Sequence, residues 1–400
     1  MVELLAPAGD LEKLKVAFTY GADAVYIGGP ILGLRANAKN FTFDDLKEGI
    51  SYAHNLGKKV YVTVNIVLHN KETDKVLDYL KELDKIHPDA IIVSDPFIID
   101  MALKHTNLVV HLSTQQSCLN RKTVKYYKDH GVSRIVLARE CCKEDIEDVL
   151  KEGLEIETFI HGAMCAGYSG RCVLSNLLTN RDANRGGCAQ ICRWDFDLLD
   201  KDKNLVKAEK PFTFCSKDLS MLRYIPKMID MGITSFKIEG RMRSAYYIAT
   251  VTSIYRKVID EYLKDKNNYQ YDTKLEEDLF RCANRDSVPQ FFDGNCDYHC
   301  SYYNGRVENT NKDFLGVVKG YEDNLMIVEQ RNNFKKGDIV EFVEPGYHIY
   351  EYQIDEIYDL DNNLITVAPH PLEIVKLKTN IRVKENSLMR LKIVDKKIKM

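Results

Sequence analysis

Eight short, β-branched runs alternate with amphipathic helical segments along the first two-thirds of the chain, and this alternation leaves few folds open. The runs are VELLAP (2–7), AVYIGG (24–29), KVYVTVN (59–65), AIIVSD (90–95), LVVHLSTQ (108–115), RIVLARE (134–140), IETFIHG (156–162) and SFKIEGR (235–241). Between them lie segments such as DLEKLKVAFTYG, TFDDLKEGISYAHNLG and TDKVLDYLKELDKI, with apolar residues at helical spacing and several terminal glycines of the C-capping kind. The pattern predicts an α/β fold, a TIM-type (β/α)8 barrel over residues 1–265. A doubly wound open sheet is the alternative, but no Gly-rich dinucleotide fingerprint follows the first strand.

A barrel of this kind places its chemistry at the C-terminal ends of the strands. Those ends carry Gly28, Gly29, Asn65, Asp95, Ser113 to Gln116, Arg139, Glu140, His161 and Glu239 to Arg241. His161 directly follows a strand, where a general base would sit. Glu157 lies four residues earlier, so strict alternation puts it on the same face, able to orient His161 or bind substrate. The bland readings are a hydrogen bond within the rim for His161 and a purely structural buried pair for Glu157. Glu239 and Arg241 flank a glycine that permits close backbone approach. Arg241 suits bidentate clamping of a phosphate or carboxylate, against the plainer option of a rim ion pair with Glu239 or Glu140. Asn65 and Gln115 each carry a donor and an acceptor, as reading a base edge requires; Arg139, Arg171 and Arg193 complete the expected substrate-binding set.

The longest excursion from the barrel pattern, residues 163–218, holds four cysteines spaced Cys165-x6-Cys172-x15-Cys188-x3-Cys192. The start, MVELLAPAGDLEKLK, has neither the basic n-region nor the apolar h-region of a secretory signal, and no apolar run is long enough to span a bilayer. A cytoplasmic chain with reduced thiols is therefore expected, its 11 cysteines serving metal binding or redox chemistry rather than disulfides. Glycines beside the four cysteines let the backbone turn its N–H groups toward sulfur, and Arg171, Arg181, Arg185 and Arg193 would offset thiolate charge. Structural zinc favours two short CxxC knuckles, whereas the six-residue gap suits a larger iron–sulfur cluster. Zinc and unconnected thiols stay open on spacing alone. Cys215 is an alternative ligand; Cys296 and Cys300 in CDYHC read as structural, and Cys141 and Cys142 as packed at a helix start.

Beyond the barrel, residues 266–312 read as a polar linker. From about residue 313 six short alternating strands, the last of them NIRVKE, suggest a small C-terminal all-β barrel (313–393), a shape that often binds oligonucleotides, followed by a basic tail (394–400). A net charge of -3 gives no global attraction to nucleic acid, so RNA contact requires a local basic patch. The chain has no HExxH, and GYSGR misses the G-x-S-x-G elbow by one residue.

The stretches ELLAPAGDLEKLKVAFTYGADAVYIGG, HLSTQQSCLN, RIVLARE, ETFIHGAMCAGYSGRCVLSN, NRGGCAQICRW, SKDLSM and SFKIEGRMRSAYY resemble the collagenase-like "peptidase" family. Its better understood members are tRNA, ribosomal RNA and ubiquinone-precursor hydroxylation proteins. The branch most similar in sequence makes 5-hydroxyuridine at the tRNA wobble position, and DFLGVVKGYEDNLMIVEQRNNFKKGDIVEFVEPG resembles that branch's C-terminal domain. The resemblance implies a 4Fe–4S cluster on Cys165, Cys172, Cys188 and Cys192, a tRNA uridine as substrate, prephenate as co-substrate, and a redox partner. Relatives often read NSKDLC where this chain has CSKDLS, which leaves the part played by Cys215 open. Two other readings stand beside it: a peptide hydrolase, and a non-catalytic RNA-binding protein stabilised by zinc.

Overall fold

The computed structural model describes residues 2–34, 40–207, 209–282, 285–302 and 314–392. Strands β1 (Glu3–Pro7), β2 (Ala24–Gly28), β3 (Lys59–Val64), β4 (Ala90–Val93), β5 (Val110–Leu112), β6 (Arg134–Val136) and β7 (Glu155–Gly162) pair in parallel, each with the next. Strand β8 (Asp218–Ser220) lies antiparallel to the end of β7. Strand β9 (Ser235–Ile238) then pairs in parallel with both β7 and β1, closing an eight-stranded TIM-type barrel.

The outer helices are α1 (Leu11–Thr19), α2 (Phe43–Asn55), α3 (Thr73–Ile86), α4 (Pro96–His105), α5 (Arg121–Asp129), α6 (Lys143–Leu150), the one-turn α7 (Leu174–Thr179) of the insertion, α8 (Ile225–Asp230) and α9 (Ala245–Lys264). Their starts are set by side-chain caps: Asp10, Thr42, Asp95, Asn120 and Ser244 each accept a backbone N–H of the first turn. Thr42 and Asp45 cap each other reciprocally, and Pro96 fills a first-turn position where its missing N–H costs nothing.

Inside the barrel the strands bury charge as well as apolar surface. Arg134 meets Glu3, Glu155 through Nε at 2.8 Å and Glu157 at 3.2 Å, and Lys237 Nζ lies 2.7 Å from Glu157. Tyr61 donates to Glu3 at 2.6 Å. Glu157 is completely buried, and these two cations offset the cost of taking its carboxylate out of water.

The segment read as a linker carries α10 (Thr273–Cys282), whose Leu275, Leu279 and Cys282 join the main core, and a short strand β10 (Ser287–Val288) beside β8. The C-terminal part forms an antiparallel β domain: β11 (Phe314–Glu322), β12 (Leu325–Gln330), β13 (Phe334–Lys335), β14 (Ile339–Glu344), β15 (His348–Gln353), β16 (Ile357–Tyr358), β17 (Leu364–Ile365), β18 (Val367–Ala368), β19 (Ile374–Lys378) and β20 (Leu388–Leu391). NIRVKE is not one of its strands. There Val383 N–H donates to Tyr321 and Lys384 N–H to Glu344, so side chains rather than a ladder satisfy the backbone. The basic tail lies outside the described residues. Among the described residues no helix is long and apolar enough to cross a membrane.

Removing the anion from the barrel interior strands the buried Lys237 and takes one of three carboxylate partners from Arg134. Glu157→Ala should cost about 3–5 kcal/mol in urea unfolding, and most of this should return when Lys237→Met is added. Equal stability of Glu157→Ala and wild type would mean that the network is hydrated rather than closed.

Candidate active site

At the C-terminal mouth of the barrel lies a cavity of about 220 Å³. Its walls come from the ends of the strands: Tyr26 on β2, Thr63 and Asn65 at β3, Gln115 after β5, Arg139 after β6, Phe159 on β7, and Lys237, Glu239 and Arg241 at β9. The insertion roofs it with Cys165, Cys172, Cys188 and Cys192. All four cysteines thus face one space with the polar strand ends.

Local backbone chemistry orients the sulfurs. Gly167 N–H points at Cys165 Sγ, Leu174 N–H at Cys172 Sγ and Gln190 N–H at Cys188 Sγ, each at 3.4 Å. A Cβ on Gly167 would come within 2.8 Å of Cys172 Cβ, so only glycine lets the first two cysteine loops close on each other. Burial pushes the Cys165 thiol up and the Cys192 thiol up to about 11. Among the described residues no three Cys, His, Asp or Glu side chains are near enough to hold one metal ion. Cys215 is fully buried behind the cavity, 3.9 Å from Arg285 Nη1, and does not line it.

Arg241 sits in a slot, 7% exposed. Its Nη1 donates to Thr63 Oγ1 at 3.2 Å and its Nη2 to Leu34 O. A Cβ on Gly28 would stand 2.3 Å from Nη1, which explains the rim glycine there. Glu140, one of the rim partners considered for Arg241, accepts two hydrogen bonds from Ser169. Asn65 accepts Leu34 N–H at 3.2 Å. Gln115 is 5% exposed, and its Oε1 is buried without a hydrogen-bond partner. Arg139 stacks on the Phe159 ring at 3.9 Å, and Arg193 donates to Gln190 Oε1 at 2.6 Å.

Three expected site residues fall elsewhere. His161 does not line the cavity; it lies between Tyr247 and Tyr255 of α9, its Nδ1 3.3 Å from the Tyr255 hydroxyl. The cause is a register shift in β7 between Phe159 and His161, a bulge that breaks alternation and turns the ring outward. Glu157 keeps its inward face but pairs with Lys237 and Arg134 below the cavity, so it cannot orient His161. Arg171 points to solvent, because the left-handed Ser169 (φ 50°) turns the chain outward just before it. Cys296 and Cys300 form a disulfide where reduced thiols were expected: a 3-10 turn at Tyr298–Cys300 brings their Cα atoms to 5.9 Å. Lys237 was missed. A lysine in the middle of an apolar strand, two residues before Glu239 and four before Arg241, was the available signal.

The profile of peptidase family U32 matches residues 9–300, and that of the family's C-terminal domain matches residues 310–390. The chain is 49% identical to tRNA hydroxylation protein P1 of Bacillus subtilis, over 97% of this chain and 94% of that one. It is 33% identical to tRNA hydroxylation protein P of Escherichia coli, over 92% and 91%. A 23S rRNA 5-hydroxycytidine C2501 synthase of Escherichia coli is 38% identical over 67% of this chain and 40% of its own length.

The setting of His161 makes stability pH-dependent. Burial, helped by the Arg243 charge, lowers its pKa to about 3, against about 6.5 in an unfolded chain. Above pH 6.5 neither state takes up the proton. Below it the unfolded state protonates first, so stability falls as pH drops toward 3, by about 2 kcal/mol at pH 5. His161→Gln should reduce the loss of stability between pH 7 and pH 5 by about that amount in urea titrations. Equal losses in variant and wild type would contradict the assignment.

Proposed function

We propose that this chain, which belongs to peptidase family U32, hydroxylates RNA, taking a tRNA wobble uridine to 5-hydroxyuridine. The observation that carries the reading is the convergence of four cysteines and the polar strand ends on one cavity. The names of the similar proteins point the same way.

Cys165, Cys172, Cys188 and Cys192 would hold a 4Fe–4S cluster. The donor set fits: three of the four sulfurs already accept a backbone N–H, the interaction that stabilises cluster thiolates. The six- and fifteen-residue gaps between these cysteines suit a larger cluster better than the short CxxC knuckles of structural zinc. When bound, the cluster supplies one-electron chemistry beside the substrate base.

The chain's own residues do the recognition. Leu34 N–H occupies Asn65 Oδ1, which leaves the Asn65 amide nitrogen to donate to a base carbonyl. The unpartnered Gln115 Oε1 is suited to accept the uracil N3–H. Arg139 and Arg241 supply positive charge for a carboxylate-bearing co-substrate such as prephenate. Replacing C5–H by C5–OH is a two-electron oxidation, so an oxygen source and an electron acceptor, hence a redox partner, belong to the proposal. A reducing cytoplasm belongs to it too, since the four thiols must stay unoxidised.

Anaerobic reconstitution should give about four iron and four sulfide per chain, with Cys172→Ser and Cys188→Ser losing the visible absorption while the barrel stays folded. Mass spectrometry of tRNA nucleosides from a deletion strain should show 5-hydroxyuridine lost and restored by the wild-type gene only. A zinc-only protein, or unchanged nucleosides, would overturn the reading.

A further inference from the structure

A second cleft, of about 350 Å³, opens on the other side of the wall that Cys188, Arg193 and Glu239 contribute to the cavity. Arg243 and Arg285 line it together with Arg193. Two of these guanidiniums share one carboxylate: Arg285 lies 2.8 Å from Asp218 Oδ1, and Arg243 lies 3.5 Å from Asp218 Oδ2. Arg193 donates to the neutral Gln190 Oε1 and, among the described residues, has no carboxylate partner. The Arg285 and Asp218 side chains are almost wholly buried, at 2% and 4% exposure, so the pair is built into the wall rather than free at the surface. The cleft's lining thus carries three guanidiniums and the Glu239 carboxylate, with Asp218 pairing to Arg243 and Arg285 from outside the lining.

We propose that this cleft binds a phosphodiester of the RNA strand, the one adjoining the nucleotide whose base enters the cavity. The proposal rests on the RNA hydroxylation reading above and adds a site to it. The shared wall is the first reason: a nucleotide with its base in one space has its phosphate one sugar away, across that wall. The second is the chemistry of the lining. Arginine forks bind phosphate oxygens bidentately, and low-dielectric walls strengthen the attraction. The third is the charge of the whole chain. At -3 overall it offers RNA no general attraction, so a strand must be captured where cations are locally in excess. Arg243 is the member to test, because it is partly exposed and weakly paired.

The test uses the full, cluster-reconstituted protein and an anticodon stem–loop RNA, binding being measured across a salt series. Arg243→Ala should lower the slope of log K against log salt by about 0.7, the value for one single-strand phosphate contact. It should raise KM while leaving kcat and iron content near wild type, and Arg243→Lys should restore the slope. A neutral methylphosphonate beside the target uridine should weaken binding to wild type but not to Arg243→Ala. If Arg243→Ala misfolds for want of its Asp218 contact, Arg243→Gln, which keeps most of the side chain and a hydrogen-bond donor but not the charge, carries the same comparison. RNA binding with an unchanged slope, or equal methylphosphonate sensitivity in both proteins, overturns the cleft alone. Loss of iron with no change in slope does so too, and would assign the arginines to the charge of the cysteines. Failure of the wild type to bind any RNA overturns the hydroxylation reading, and the cleft with it.

Discussion

Glu140, just past β6, accepts the Ser169 backbone N–H at 2.7 Å and the Ser169 hydroxyl at 3.0 Å, and this two-point hold decides where the cysteine insertion sits. The insertion has almost no apolar core of its own. Among the described residues between Cys165 and Phe214, only Ser169, Ser175, Ile191 and Thr213 are buried. Its shape therefore comes from polar anchors. Asn184 accepts from Cys172 N–H and donates back to Cys172 O, while its own carbonyl takes Val67 N–H at 3.1 Å. Arg185 reaches Glu72 and the Val67 carbonyl. The cysteines are thus referenced to the loops after β3 and β6 as well as to β7. Such contacts are directional, and a partly buried group left without its partner costs desolvation free energy, so they place a loop more sharply than a few apolar contacts would.

The same economy governs the floor. Lys237 closes the cavity from below, pulled down to Glu157 and covered by the Tyr26 ring at 4.5 Å. Burial lowers its pKa against the pull of that carboxylate. Beneath it the Glu157–Arg134–Glu3 chain continues to the other end of the barrel. A charged interior of this kind is costly to assemble and gives little net stability, yet it fixes the direction of every member. Above the floor the wall presents an aromatic (Phe159), a cation stacked on it (Arg139) and an amide (Gln115).

The barrel was legible because its signal is repeated eight times and each strand is nearly all apolar; single errors of one or two residues at strand ends do not change the topology. The rim residues Asn65, Gln115, Arg139, Glu239 and Arg241 could be named from position alone, since strand ends define the mouth. His161 could not. One extra residue in β7 reverses the face of everything after it, and nothing in IETFIHG marks the bulge. Glu157 was read with the right face and the wrong partner, because a pairing between β7 and β9 depends on closure of the barrel, seventy-odd residues downstream. NIRVKE has the composition of a strand, but its neighbours offer Tyr321 and Glu344 side chains in place of a free edge. Arg243 and Arg285 were invisible as a pair: Asp218, which joins them, lies on an added strand outside the barrel repeat.

The C-terminal domain bears on all of this from the side. Tyr20, at the end of α1, donates to Asn386 O at 2.8 Å; Tyr246 of α9 stacks on Phe314 with ring centres 4.8 Å apart. Asp278 of α10 takes Tyr347 and Arg390 together, and Arg390 also meets Glu341 at 2.7 Å. Val343, Tyr347 and Leu388 belong to the barrel's own core cluster. The domain therefore covers α1, α9 and α10 rather than the mouth, and α9 is the helix that holds His161 in place. Deleting it would take Arg390 and the Tyr347 hydroxyl from the buried Asp278, leaving Arg281, and would expose core residues, so any loss of RNA affinity on deletion would be mixed with loss of fold. On the RNA reading proposed above, contacts of this domain with RNA would fall away from the cavity, whose lining comes from the barrel and its insertion.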